Sequence, residues 1–506
     1  MPHRLRYRTA TCALLLLSCM TYAAEKQPDL HWLNRLSFGV TSDLVARDKQ
    51  LGDRAFLDEQ LRAKGDMPID IQARIEALPI TQKTIPEFVA QDEDMKRQVN
   101  AATTEEDKKQ LSKAEGDFTN QAMQDAMRRH LWRAIYSPNQ LQEKLTWFWM
   151  NHFSVYAYKA NLRLTIPDYE EKAVRPYALG HFRDLVLATL KHPAMLAYLD
   201  NTQNAAGHIN ENYARELMEL HTLGVGSGYT QQDVQELARI LTGVGVNYNN
   251  PTVKVKAELQ QYVIRNGAFE FNPQRHDFGD KQLLGATIKG SGFAEVEQAV
   301  DLICKQPATA RFVSRKLATY FLGDNPPDAL VEKMAKTFQR SDGDIAAVVR
   351  TLFESPASHS PTPNLRDPFR YTVAAMRLAY DGKPVSNLRP VFNWLNQLGE
   401  PLYGRLSPDG YGLTSAAWNG SGQLVKRFEI ARAIGSNNAG LFDPDGSTPM
   451  GMNGVGIIGF PLIQRPIYYS LLEPTLSPAT RETLDRANSA QEWNLLYLAS
   501  PEMMND

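Results

Sequence analysis

Disulfide chemistry is nearly absent from this chain. It has three cysteines in 506 residues, and two of them, Cys12 and Cys19, fall at the very start. If a leader carrying both is removed, Cys304 stands alone and an intramolecular disulfide is excluded. Cys304 lies in an apolar helical stretch and reads as a buried thiol rather than a nucleophile. The N-terminal apolar run, residues 12–17, is far short of the roughly 20 residues that span a bilayer, so no transmembrane helix is expected in the mature chain. An excess of positive charge is also missing. Lys and Arg number 55 against 57 Asp and Glu, a net charge of −2, which argues against nucleic acid as a partner because phosphate binding needs a basic surface. There is no His-Glu-x-x-His helix, no Cys-x-x-Cys pair, no phosphate-binding glycine loop and no Gly-x-Ser-x-Gly elbow. The common zinc proteases, P-loop enzymes and α/β-hydrolases are therefore disfavoured. No Pro/Ser-rich linker, repeat or heptad register divides the chain.

What is present begins with a leader. Arg4, Arg6 and Arg8 stand without an acid, the apolar run follows, and small residues precede Glu25. That order is a secretory signal. Thr21-x-Ala23 suits cleavage after Ala23, giving a signal peptide over 1–23 and a periplasmic or secreted protein with a net charge of −5 once the three arginines are gone. Leu16-Leu17-Ser18-Cys19 offers a second reading, a lipobox. It would leave an outer-membrane lipoprotein anchored through Cys19, although Leu17 fits poorly at its second position.

The remainder, 24–506, reads as a single mainly α body. The segment His31–Gly39 opens the mature fold, and a helix-turn-helix is expected after it, to about Lys64. Residues 91–117 are dense in Lys, Glu, Asp and Gln and read as a solvated helix or a mobile arm. Ser137, Pro138 and Gln140 form a helix start with a capping box, and that helix runs toward His152. Asn210 can cap a helix ending at Gly224, and Thr230 with Asp233 boxes another that runs to Thr242. A small antiparallel β insertion is expected over 246–289, because Asn266-Gly267 separates two β-rich runs and 282–289 can add a strand. Helical periodicity returns at 294–305, 309–321, 329–340, 345–353 and 370–380.

Two helices place polar groups among large apolar ones. In Glu143-Lys-Leu-Thr-Trp147-Phe148-Trp149-Met-Asn151-His152-Phe153, residues Glu143, Trp147 and Asn151 share one face and His152 faces the opposite way. Glu143 and His152 therefore cannot ligate one metal from a regular helix. In the second, Asn212, Glu216, Glu219 and Leu223 share a face, while His221 groups with Ala214 and Leu217. Glu216 and Glu219 can offer carboxylates to one cation or divide acid and base roles. They can equally be structural, with Arg215 pairing to Glu211 or Glu219, and His221 in the last turn can simply complement the helix dipole. Di-iron bundles use Glu-x-x-His at this spacing, but here the third position is Glu219, so the match is partial. His276-Asp277, in a loop with Gly279, suits either metal binding and proton transfer or a turn held by Asp277. The candidate catalytic residues are thus Glu216, Glu219, His221 and His152. The candidate ligands for a divalent metal ion are Glu143, His152, Glu216 and His276.

These segments resemble the signature motifs of a bacterial exported family catalogued as domain of unknown function 1800. The likeness is carried by Trp149-Met-Asn151-His152-Phe153 and by Glu211-Asn-Tyr-Ala-Arg-Glu-Leu-Met-Glu-Leu-His-Thr-Leu-Gly224. Tyr229-Thr230-x2-Asp233-Val-x-Glu-Leu-Ala-Arg239-x-Leu-Thr-Gly243, His276-Asp277, Pro401-Leu-Tyr and Pro408-Asp-Gly-Tyr add to it. The resemblance implies an exported, largely helical protein, often encoded beside an exported sulfatase-like family that is a candidate partner. It implies no activity and assigns no catalytic residue. Two functions follow as expectations: an enzyme of the periplasm or cell surface with a Glu/His/Asn site that a metal can assist, or a non-enzymatic accessory module whose signature residues form a structural polar network.

Overall fold

The computed structural model describes residues 27–160, 162–249, 253, 255–443 and 459–506. The leader and Cys19 lie outside them. The fold is mainly α with a small β insertion. The described N-terminal segment opens with helix Leu30–Leu36, and the expected helix-turn-helix follows as Ser42–Leu51 and Asp53–Arg62. Gly52, at φ +76, turns the chain sharply between the last two.

The charged segment 91–117 is helical. Ile85–Ala101 begins with a capping box in which the Thr84 N–H donates to Glu87 at 2.7 Å. Glu105–Tyr136 begins at Thr104, whose hydroxyl accepts from the Asp107 N–H at 3.1 Å. The two helices pack together, with the Phe88 and Phe118 rings 5.9 Å apart. Glu105–Tyr136 has 32 residues, about 48 Å at the usual rise. Its first third is solvated and its last two turns are buried, which is why one helix reads as both polar and apolar.

Helix Gln140–His152 starts later than expected. Asn139 is the cap residue, and the Gln140 side chain donates back to the Ser137 carbonyl at 2.8 Å while accepting from the Phe38 N–H. Thr230 and Asp233 form the expected capping box on Gln231–Ile240. The later helices fall where periodicity puts them, at Phe293–Cys304, Pro307–Leu322, Asp328–Arg340, Ile345–Phe353 and Pro368–Tyr380. Cys304 is buried and free.

The insertion holds two antiparallel sheets. One is ordered β1-β3-β2, from Val244–Val246, Phe269–Phe271 and Ile264–Asn266 respectively. The other pairs β4 (Lys281–Leu283) with β5 (Ala286–Ile288). Asn266 is not in the β2–β3 turn. It pairs with Phe269, and the two turn residues are Gly267, at φ +56, and Ala268. Glycine at the first turn position suits a primed hairpin turn.

One continuous apolar core runs from Trp32 to Met504. Several charged groups inside it meet at the C-terminal residue. The Asp506 carboxylate takes Arg366 and Arg370, each at 3.1 Å, and lies 3.5 Å from Lys144. Lys144 in turn donates to the Asn34 and Arg35 carbonyls, and burial lowers its ammonium to about 7. Among the described residues no helix is long and apolar enough to cross a membrane.

Candidate functional site

The structure sorts the candidate residues into paired networks and one unpaired group. Glu143 belongs to the first class: both its oxygens accept from Arg175, at 2.6 and 3.1 Å. His276 is fully buried, with Nε2 facing Glu295 at 2.9 Å and Nδ1 the Thr242 carbonyl at 2.8 Å, and Lys281 pairs with the same glutamate. Burial alone would raise Glu295, but His276 and Lys281 hold it below the usual carboxylate range. Asp277 caps its own turn through the Gly279 N–H and is bridged to Arg239, which also holds Glu236. His276 and Asp277 thus pin the β insertion to the helical body.

The structure does not gather the candidate metal ligands Glu143, His152, Glu216 and His276 around one point. Arg175 and Glu295 occupy the donor atoms of two of them, and the His152 Nε2–H is given to the His221 carbonyl at 2.9 Å. Among the described residues no group of three or more His, Cys, Asp or Glu is arranged to hold a metal ion.

The other signature residues converge. Asn151 and His152 end the Gln140–His152 helix. The Asn151 side chain grips the backbone of Tyr411, donating to its carbonyl at 3.0 Å and accepting from its N–H at 2.6 Å. This docks loop 405–411, in which Gly410 is required: at φ +77, an added Cβ would lie 2.2 Å from the Asn151 carbonyl oxygen. The loop carries Asp409, which pairs with Arg405 at 2.9 Å, and the Tyr198 hydroxyl holds it at the Leu406 carbonyl.

Facing the loop is the 211–224 motif. It does not form one regular helix. Asn210 accepts from the Asn212 N–H just ahead of the short helix Asn212–Glu216. The chain then widens into a π-helical turn, Leu217–Thr222, in which the Leu223 and Gly224 N–H groups both reach the Met218 carbonyl. Single π turns inside helices are frequent at functional sites. Here the turn keeps His221 inside with Ala214 and Leu217 while Glu216 and Glu219 stay half-buried. Arg215 pairs with Glu211 at 3.0 Å and approaches Glu219 at 3.7 Å.

Glu216 makes no ion pair or hydrogen bond among the described residues. Burial, then Glu219, raises its carboxyl above the usual range, with Asp409 adding to the effect. Tyr198 and Tyr229 beside these acids are pushed up to about 12, first by burial and then by Glu216 and Glu219 respectively. Behind them His221 is 1% exposed and neither ring nitrogen has a hydrogen-bond partner. Burial, then Lys316, takes that ring down to about 3. His152, 2% exposed, is lowered by the same two causes and by His221, and its Nδ1 also lacks a partner. Lys316 comes from the Pro307–Leu322 helix. Its ammonium lies 5.5 Å from the Phe312 ring, and burial lowers it to about 8 against the opposing pull of Asp409.

Sequence reasoning grouped Glu143 and His276 with Asn151, His152, Glu216, Glu219 and His221, whereas the structure ties the first two to Arg175 and Glu295, and it missed Lys316 and Asp409. Asp409 was within reach, since it sits in the Pro408-Asp-Gly-Tyr motif. Lys316 carries no signal, being one cation beside Arg311 and Arg315 on an ordinary amphipathic helix. No curated protein and no solved structure matches the chain. The family described as a protein of unknown function (DUF1800) matches residues 31–505, and the chain belongs to that family.

Proposed function

We propose that the chain is exported by its first 23 residues and acts in the periplasm, or at the cell surface if Cys19 is lipidated, as an enzyme doing acid–base chemistry with Glu216. The observation that carries this reading is the set of unpaired titratable groups. Among the described residues Glu216, Lys316 and His221 make no ion pair or side-chain hydrogen bond, whereas Glu143, Glu295, Asp277 and Asp506 are each matched to a cation. Groups whose environments push an acid up and a base down are the usual basis of proton transfer near neutral pH. On this reading Glu216 donates or accepts the proton, while Glu219 and Asp409 keep its proton affinity high. Lys316 and His221 sit where negative charge develops. The π turn and the Asn151-docked loop hold the two sides in place.

The test is a panel of chromogenic esters, phosphoesters, glycosides and amides. Turnover of one class is expected, reduced by Glu216→Gln about 100-fold, the lower end of general acid–base contributions, with the melting temperature retained. Turnover that is unchanged by Glu216→Gln, or found in no class while Glu216 titrates like an ordinary glutamate, refutes the reading.

The absorption of Glu143, Arg239, His276 and Asp277 into ion-pair networks favours a second reading. On it the chain is a non-enzymatic accessory module working with a co-encoded exported sulfatase-like partner, and all its signature residues are structural. It requires Glu216→Gln to destabilise the fold strongly. An intact mass of the exported protein separates cleavage after Ala23 from a lipidated Cys19.

A further inference from the structure

We infer that Lys316, His221 and His152 form a receptor for one oxyanion, so that the substrate of the acid–base site carries a carboxylate, phosphate or sulfate group. The substrate clause rests on the acid–base reading; the receptor itself stands on the buried, unpartnered ring nitrogens of His221 and His152, whose rings lie 6.1 Å apart, and on Lys316 over the Phe312 ring that neighbours His152.

The first argument is an imbalance of charge and hydrogen bonding. Lysines elsewhere with little solvent around the ammonium have an oxygen to face. Lys144 has Asp506 and two carbonyls, and Lys281 has Glu295. Lys316 has no carboxylate in ion-pair range among the described residues, only the face of Phe312. The acid nearest in effect, Asp409, is committed to Arg405. Behind Lys316, both nitrogens of His221 and Nδ1 of His152 are buried without partners. Each such unmade bond costs about 1–3 kcal/mol, and native folds seldom tolerate one without a reason.

The second argument is the sign of the missing group. Lys316 depresses the proton affinity of both histidines, and His221 depresses that of His152, so the cluster lacks a negative charge. A metal cation would add to the repulsion. An oxyanion answers the charge deficit, because its several lone pairs accept from the ammonium and from a protonated His221 imidazole. The surroundings strengthen such a contact. Phe153 lies 5.1 Å from the His221 ring and Phe312 lies 6.2 Å from that of His152. These rings lower the local dielectric, in which a charge-assisted bond is worth more than in water. Lys316 and Phe312 are half-buried, whereas both histidines are buried.

The test uses the exported chain after removal of residues 1–23, in chloride at fixed ionic strength, titrated separately with phosphate, sulfate and acetate. Melting temperature and the histidine ring resonances are followed. At least one of the three is expected to give a saturable rise in melting temperature, with the His221 signals moving toward the protonated form. The anion that does so names the class. Lys316→Met should weaken the apparent affinity at least ten-fold, and Lys316→Arg should keep most of it. Glu216→Gln should retain or tighten it. No saturable response to any of the three, or an equal response from Lys316→Met, overturns the receptor. If the response is lost while Glu216 still titrates high, the receptor alone fails. A normal response with an ordinary Glu216 titration removes the acid–base reading alone.

Discussion

Glu143 and Glu216 are both glutamates on motif helices, yet their environments have opposite signs. Glu143 faces a guanidinium at 2.6 Å; Glu216 faces Glu219 and Asp409. Breaking a buried ion pair leaves an uncompensated charge, so Glu143→Gln should cost about 2–3 kcal/mol by urea unfolding. Glu216→Gln should behave in the reverse way. Its folded carboxyl is raised, so the stability it contributes is present below the unfolded value, 4.5, and is lost as pH rises through the higher folded value. The variant and the wild type should therefore melt together near pH 4, with the variant melting higher by pH 7. A variant that melts lower at both pH values would assign Glu216 to the structural network. Helical spacing was enough to separate the face of Glu216 and Glu219 from that of His221. It was not enough to distinguish Glu143 from Glu216, because Arg175 lies 32 residues away from Glu143 in sequence and no periodicity reports a partner at that distance.

At the scale of elements, the local signals that survive are those whose chemistry is complete within one turn. The Thr230–Asp233 box needs only four residues, and it forms as the spacing requires. The Ser137 start fails because Gln140 is recruited by Phe38, a contact made across the fold. The hairpin turn slips by one residue because Phe269 pairs with Asn266, leaving Gly267 to take the positive φ. The π turn leaves no trace in the periodicity: one widened turn changes which residues share a face without changing their types. Loop 405–411 shows how an element holds the site. Gly410→Ala would force a Cβ toward the Asn151 carbonyl at a positive φ, a strain of about 1–3 kcal/mol. The expected result is faster tryptic cleavage after Arg405 with only a small fall in melting temperature, since the loop packs at the surface. Cleavage at the wild-type rate would show that the Asn151 clamp does not govern the loop.

At the scale of the whole molecule, the mainly α class follows from long periodic segments, but the charged core does not. Residues far apart in sequence meet there: Glu170 takes His130 at 3.0 Å and the Tyr403 hydroxyl, and Asp506 takes Arg366 and Arg370. These contacts govern how the fold responds to acid. Burial would raise Glu170, but His130, Arg129 and Tyr403 outweigh it and bring the carboxyl down to about 2. Burial is likewise outweighed at Glu171, chiefly by Arg133, and at Asp506, chiefly by Arg370. A carboxyl whose folded value is depressed stabilises the fold fully above its unfolded value and loses that contribution as pH falls through the folded value. For Glu170 the window runs from 4.5 down to about 2, and the contribution is on the order of 3 kcal/mol. Urea unfolding from pH 6 to 2.5 should show stability falling steeply below pH 4.5 for the wild type. Glu170→Gln should be less stable at pH 6 and follow a shallower slope, because its share of the acid response has been removed. Parallel curves for the two proteins would mean that Glu170 is not among the carboxylates holding the described core together, and the acid response would then fall to Glu171 and Asp506.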